Sequence, residues 1–144
     1  MAKVGRNNDF NTENEFEDYI IKNAVFWVKD FFNKDFKSIE RQWYLSKIKT
    51  FGANKPRIDL FLNTKDNKKI GIELKNPKNV YGELSRTISQ LLSYAVIAME
   101  NGVPFDELAI ITSKPDDILI KVIKKYNLPI RVFVITRNIH YEII

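Results

Sequence analysis

The sequence predicts an α/β fold, with one mixed β-sheet flanked by helices in the order α-β-β-β-α-β-α-β. Three observations carry this. Two long segments repeat apolar residues at helical spacing, a central hairpin alternates along both arms, and short β-branched runs follow the later helices. The chain has 144 residues, of which 44% are hydrophobic and 12% aromatic, enough for a packed core.

Met1 to Asn11, with Gly5 and several asparagines, reads as a flexible arm, and residues 12–144 as a single domain. Thr12 with Glu15 three residues on is a capping-box pattern that opens the first helix. Phe16, Ile20, Ala24, Trp27 and Phe31 keep the helical spacing to about Phe32, and Asn33 to Lys37 breaks it. Arg41 to Lys49 reads as a strand. Gly52, Ala53, Asn54 and Pro56 connect it to a second strand, Arg57 to Asn63. Thr64 to Lys68 contains Asp66-Asn67 and reads as a hairpin turn into a third strand, Lys69 to Lys75, stopped by Asn76-Pro77. A helix from Gly82 to Glu100 closes at Asn101-Gly102. A strand over Asp106 to Thr112 follows, then a helix over Pro115 to Tyr126 opened by Ser113 and Pro115. Arg131 to Thr136 is a strand, and Ile139 to Ile144 a candidate last one.

Composition excludes several chemistries. There is no cysteine, hence no disulfide and no thiolate zinc site, and the single histidine, His140, argues against histidine-rich metal sites and a Ser-His-Asp triad. A bound metal would be held by carboxylates and backbone oxygens, which favours Mg²⁺ or Mn²⁺. No signal peptide or membrane span is evident, so a cytoplasmic location with no membrane partner is expected. The net charge of +5 and pI near 9.3 lean toward a polyanionic partner.

The hairpin holds the informative residues. On its first strand Ile58, Leu60 and Leu62 share one face, and Asp59 and Phe61 the other. On its second, Ile70, Ile72 and Leu74 share one face, and Gly71, Glu73 and Lys75 the other. With Thr64 to Lys68 as the turn, Asn63 falls opposite Lys69, Phe61 opposite Gly71 and Asp59 opposite Glu73. Two facing carboxylates destabilise a sheet unless a divalent cation lies between them or one is protonated. Lys75 adds a cation one pleat beyond. Two acids for a metal and a lysine beside a water are what phosphodiester hydrolysis requires. The plainer reading is a hairpin whose polar face meets solvent, and Phe61 and Gly71 speak against it.

Arg86, Gln90 and Tyr94 form a polar stripe at i, i+4 and i+8 on the following helix, opposite the core-like Ile88, Leu91, Leu92, Ala95 and Val96. The stripe suits a phosphate backbone, and Arg57 and Lys78 join it as candidate DNA contacts. Lys121, Lys124 and Lys125, with Arg131 and Arg137, are first read as a solvated basic face. His140 is read as a strand-surface residue, and Trp27 and Trp43 as core.

In combination these residues resemble the PD-(D/E)xK nuclease superfamily. Asp59, thirteen residues and then Glu73-Leu74-Lys75 match its signature. Gln90 to Tyr94 resembles the Q-x-x-x-Y motif of the RecB-like branch. Ile72 to Lys78 resembles the N-terminal nuclease domain of type I restriction motor subunits. The likeness runs from Thr12 to about Thr112, with Ile58 standing where the family's name has proline. It implies a restriction-endonuclease-like core and a Mg²⁺- or Mn²⁺-dependent deoxyribonuclease. Asp59, Glu73 and the Leu74 carbonyl would bind the metal, Lys75 would position the water, and Gln90 and Tyr94 would support the site or the DNA. An acid of the first helix often joins such sites. Glu17 is the first choice, because Ile20 and Ile21 turn its side inward, and Glu13 the second, although acids in a first helical turn are favoured anyway. The alternative is a catalytically silent DNA-binding module or a subunit of a larger restriction or repair complex. DNA is the expected partner, with a homodimer or a recruiting subunit left open.

Overall fold

The computed structural model describes residues 10–45, 56–77 and 80–144. The chain order is α1 (Glu13–Lys22), α2 (Ala24–Phe32), β1 (Phe36–Tyr44), β2 (Arg57–Thr64), β3 (Lys69–Lys75), α3 (Val80–Glu100), β4 (Glu107–Thr112), α4 (Asp117–Lys125), β5 (Ile130–Ile135) and β6 (His140–Glu142). The strands form one sheet in the order β1-β2-β3-β4-β5-β6. β2 runs antiparallel to both β1 and β3, β3-β4-β5 are parallel, and β6 returns antiparallel to β5. No helix among the described residues is long and apolar enough to cross a membrane.

Two hydrophobic layers hold the sheet. On one face α1 and α2 bring Phe16, Ile20, Trp27, Val28 and Phe31 onto Leu60, Leu62, Ile70, Ile72, Ile111 and Phe133. On the other, α3 and α4 bring Ile88, Leu91, Leu119 and Ile123 onto Phe61, Leu108, Ile110 and Val132. Each such fully buried aliphatic side chain contributes about 1.5–3 kcal/mol, so the two layers, not local propensity, set where the strands lie. β3 is buried from Ile70 through Leu74, and a side chain there meets protein whichever way it points.

The first helix departs from its reading as a single element. Thr12 caps α1 as expected, its hydroxyl accepting from the Glu15 N–H at 3.0 Å. At Asn23 the helix breaks, because the Asn23 carboxamide donates to the Tyr19 carbonyl at 2.9 Å and competes with the backbone for it. The Trp27 indole then donates to the Ile20 carbonyl at 2.7 Å and ties α2 to α1. Of the expected arm, only Phe10 and Asn11 are described. Phe10 is buried, packs its ring against Phe16 and Tyr19, and lies under the Arg137 guanidinium.

Other boundaries move with tertiary contacts. β1 begins at Phe36 rather than Arg41, because pairing with β2 and burial of Ile39 extend it backwards; positions 46–49 of the expected strand lie outside the described residues. α4 starts two residues later than expected, capped by Asp116, whose carboxylate accepts from the N–H groups of Ile118 and Leu119 at 2.9 and 3.3 Å. On α3, Val96 is 50% exposed instead of core-like. Trp27 is core and His140 lies on the exposed β6, as expected, where it bonds to Asp30, whereas Trp43 is only partly buried and stacks on Phe61.

The hairpin register is the one predicted: Asn63 pairs with Lys69 and Phe61 with Gly71. Gly71 is required sterically. A Cβ there would lie 2.8 Å from both Ile58 Cδ1 and a Phe105 ring carbon. Gly71→Ala is therefore expected to lower stability by about 1–3 kcal/mol, read as a drop in the denaturant midpoint at unchanged slope.

Candidate functional site

The β2-β3 ladder ends at Leu60↔Ile72, one residue short of Asp59 and Glu73. Beyond that point the two carboxylates take the place of backbone acceptors. The Asp59 N–H donates to Glu73 Oε1 at 3.2 Å, and the Leu74 N–H donates to Asp59 Oδ2 at 2.9 Å. The acids meet as the register predicted, but through side chains bridging parted strands. The strict alternation expected of β2 also fails. Leu60 and Leu62 lie in the α1-α2 layer, whereas Ile58 joins Phe61 in the α3-α4 layer. The irregularity falls at Asp59, which is thereby placed to meet α1 as well as β3.

Across β2, the β1 ladder pairs Arg41 with Leu60 and Trp43 with Ile58, leaving Gln42 beside Asp59. Gln42 has a φ of +50°, a conformation that costs a non-glycine residue about 1–3 kcal/mol. Its Nε2 lies 3.3 Å from Glu17 Oε1 and 3.4 Å from Asp59 Oδ1. Glu17, buried on α1, is also held by Arg41, 3.4 Å from its other oxygen, while Arg41 reaches Asp18 at 2.9 Å. Glu13, Asn14, Glu17, Gln42, Asp59, Leu74 and Lys75 line an open cleft of about 240 Å³. A second cleft, of about 300 Å³, is lined by Glu13, Lys75, Arg86 and Gln90. Glu13 and Lys75 belong to both, so the lysine stands between the acids and the polar stripe of α3.

The wall between the clefts is anchored by Asn76, which sequence reading treated only as a strand stop. Its N–H donates to Glu13 Oε1 at 2.9 Å and its Nδ2 to the Phe10 carbonyl at 2.8 Å. Its Oδ1 accepts from the Ser113 hydroxyl at 2.6 Å. Buried Asn76 thus ties the start of α1 and the end of β4 to the residue after Lys75.

Burial dominates the electrostatics. Glu73 is 4% exposed. Desolvation, reinforced by the Asp59 charge, pushes its proton affinity up to about 9. Asp59 is also raised by burial, against the opposing Leu74 N–H. Both shifts point the same way, so the pair holds a proton above the usual carboxylate range. The Tyr94 hydroxyl is raised by burial and by both carboxylates, with Arg57 opposing, which places Tyr94 within electrostatic reach of the pair and Arg57 within reach of Tyr94.

Of the residues singled out in the sequence, Asp59, Glu73, Lys75, Glu17 and Glu13 come together here, with Leu74 lining the same cleft. Arg86 and Gln90 line the adjoining one, and Tyr94 packs in the α3 layer near the acids. Arg57 starts β2 with its guanidinium 5.7 Å from the Tyr44 ring centroid. Lys78 lies outside the described residues. Gln42, Arg41 and Asn76 were missed. Gln42 becomes visible only through the β1-β2 register, which no turn signal sets.

The carboxylates of Asp59, Glu73, Glu17 and Glu13 are oxygen donors, the chemistry a hard divalent cation takes, and His140 is engaged elsewhere with Asp30. An acid pair that retains a proton is also one whose charge a cation can compensate. Even so, among the described residues no three His, Cys, Asp or Glu side chains converge on one point that could hold a metal ion. The Gln42 carboxamide stands between Glu17 and Asp59.

The architecture, a six-stranded mixed sheet with helices on both faces, is a restriction-endonuclease-like α/β fold. It is similar to the crystal structure of a repair endonuclease from Pyrococcus abyssi, with a TM-score of 0.52 and 18% sequence identity. The match covers 88% of this chain and 49% of that one, so the chain spans about half the length of its structural relative. No protein family matches the chain, and no curated protein is detectably similar in sequence.

The raised affinity of Glu73 has a measurable sign. An unfolded glutamate titrates near 4.5 and the folded one near 9, so between these values the folded chain binds more protons. Its contribution to stability is complete below the lower value and is lost as pH rises through the upper one. Without divalent cations, Glu73→Gln is expected to flatten the fall in stability between about pH 5 and 9, checked by denaturant titration across that range. Asn76→Ala, which leaves the buried Ser113 hydroxyl and Phe10 carbonyl without this partner, is expected to cost about 1–3 kcal/mol by the same measurement.

Proposed function

We propose that the chain is a metal-dependent nuclease that hydrolyses DNA phosphodiester bonds, acting as an endonuclease. The observation that carries the reading is the Asp59–Glu73 pair, with Lys75 between it and a cleft lined by Arg86 and Gln90. Asp59, Glu73 and the Leu74 carbonyl would hold Mg²⁺ or Mn²⁺, with Glu17 the nearer first-helix acid and Glu13 anchored on Asn76. The cation, when bound, supplies positive charge to the phosphoryl oxygens and lowers the pKa of water.

The protein's own groups do the rest. The Lys75 ammonium orients the attacking water and offsets developing negative charge. Arg86, Gln90, Arg57 and Lys78 contact backbone phosphates, a role that suits a chain of net charge +5. Tyr94 supports the acid pair from the α3 layer. Similarity in fold to a repair endonuclease supports the nuclease reading. The further likeness of Ile72–Lys78 to type I restriction motor subunits rests on those residues alone. Cutting both strands with one site per chain calls for a second copy or a recruiting subunit.

The test is cleavage of plasmid, linear, single-stranded and junction DNA with Mg²⁺ or Mn²⁺, with Lys75→Ala and Asp59→Asn in parallel. Cation-dependent cleavage is expected, reduced at least about 100-fold in either variant, the scale on which removing a stabilising charge acts. Salt-sensitive DNA binding by wild type with no cleavage under any divalent cation would instead make the chain a binding module.

A further inference from the structure

We infer that Gln42 is a ligand residue of the cation site, its carboxamide turning over between the metal-free and metal-bound states. The inference rests on the nuclease reading above, because it presumes that the acid pair receives a divalent cation.

Four observations point to it. Each of the two acids facing Gln42 has one oxygen tethered to protein and the other turned to Gln42. Arg41 lies at Glu17 Oε2 and the Leu74 N–H at Asp59 Oδ2, while Gln42 Nε2 faces Glu17 Oε1 and Asp59 Oδ1. The two contacts, 3.3 and 3.4 Å, are longer than the usual ~2.9 Å of an N–H···O bond.

Chemistry then gives the amide two uses. Its NH₂ donates to two carboxylates when no cation is present, and a half-turn of the same group would bring its carbonyl oxygen to a cation they hold. Lastly, Gln42 holds its position at a φ of +50°, inside a strand, where a non-glycine residue is strained. The side chain, not the backbone, accounts for a residue other than glycine there. Gln42 would thus add a neutral oxygen to the acid ligands, from the position between Glu17 and Asp59 where it shows its nitrogen until the cation arrives.

Direct Mn²⁺ binding, followed by the electron paramagnetic resonance of free Mn²⁺, tests this without reference to cleavage. Gln42→Gly removes the amide at a φ that glycine adopts freely, so the variant is expected to fold, with thermal unfolding as the check. Gln42→Glu retains an oxygen but loses the N–H. The expected result is affinity at least about 10-fold weaker in Gln42→Gly and wild-type or tighter in Gln42→Glu. Unchanged or tighter binding in Gln42→Gly, with Asp59→Asn abolishing it, would overturn the ligand role and leave the metal site standing. No Mn²⁺ binding by wild-type protein would overturn both this inference and the metal-dependent reading beneath it.

Discussion

Two carboxylates set side by side where the β2-β3 ladder ends, Glu73 buried and Asp59 half-buried, are the constraint around which the rest is arranged. In a regular antiparallel ladder such a pair would repel across a few ångströms of low-dielectric interior. Here the ladder stops one residue early, and each acid receives a backbone N–H from the opposite strand. The cost of burial is met by the proton the pair holds, by those N–H groups and by Lys75. None of this would survive on a solvent-facing hairpin, where water would screen the pair. It depends on β3 being covered from both sides, which the α1-α2 and α3-α4 layers accomplish.

Those layers also bring the remaining groups to the site. α1 carries Glu13 and Glu17 to one side of Lys75, and α3 carries Arg86 and Gln90 to the other. Their meeting is made rigid by one buried asparagine, whose backbone and side chain together bond to Glu13, Phe10 and Ser113. A fully satisfied buried polar group of this kind specifies a single arrangement of the elements it joins. The acid cleft and the basic cleft are thus held in fixed relation, the geometry a polyanion with a scissile bond needs if its charge and its reacting atom are to be met together.

Similarity in fold at 18% identity says little about which chemistry a chain performs, since one scaffold hosts many. What distinguishes this chain is the local break in β2 and β1. Ile58 leaves the face of Leu60 and Leu62, Gln42 takes a positive φ, and Asp59 is released toward α1. Within the strands, the one positive φ among the described residues falls at the candidate site, at Gln42.

Much was legible in the chain itself because the signals were local. The alternation of Ile70, Ile72 and Leu74 and the turn at Thr64 to Lys68 were enough to give the hairpin register as far as Leu60 and Ile72, and so to bring Asp59 next to Glu73. The helical stripe of Arg86 and Gln90 and the cap at Thr12 were equally readable, since each depends on residues within one or two turns. Tertiary structure decided what depends on partners remote in sequence. The break at Asn23 is secured by Trp27 reaching back to Ile20. The early start of β1 follows from its pairing with β2, and the role of Asn76 from Phe10 and Ser113. Gln42 is the sharpest case. Seventeen positions separate it from Asp59, and a connection of that length fixes no register, because loop closure depends on length and hardly at all on which residues end up opposite. Only packing of both strands between the two helical layers selects that pairing.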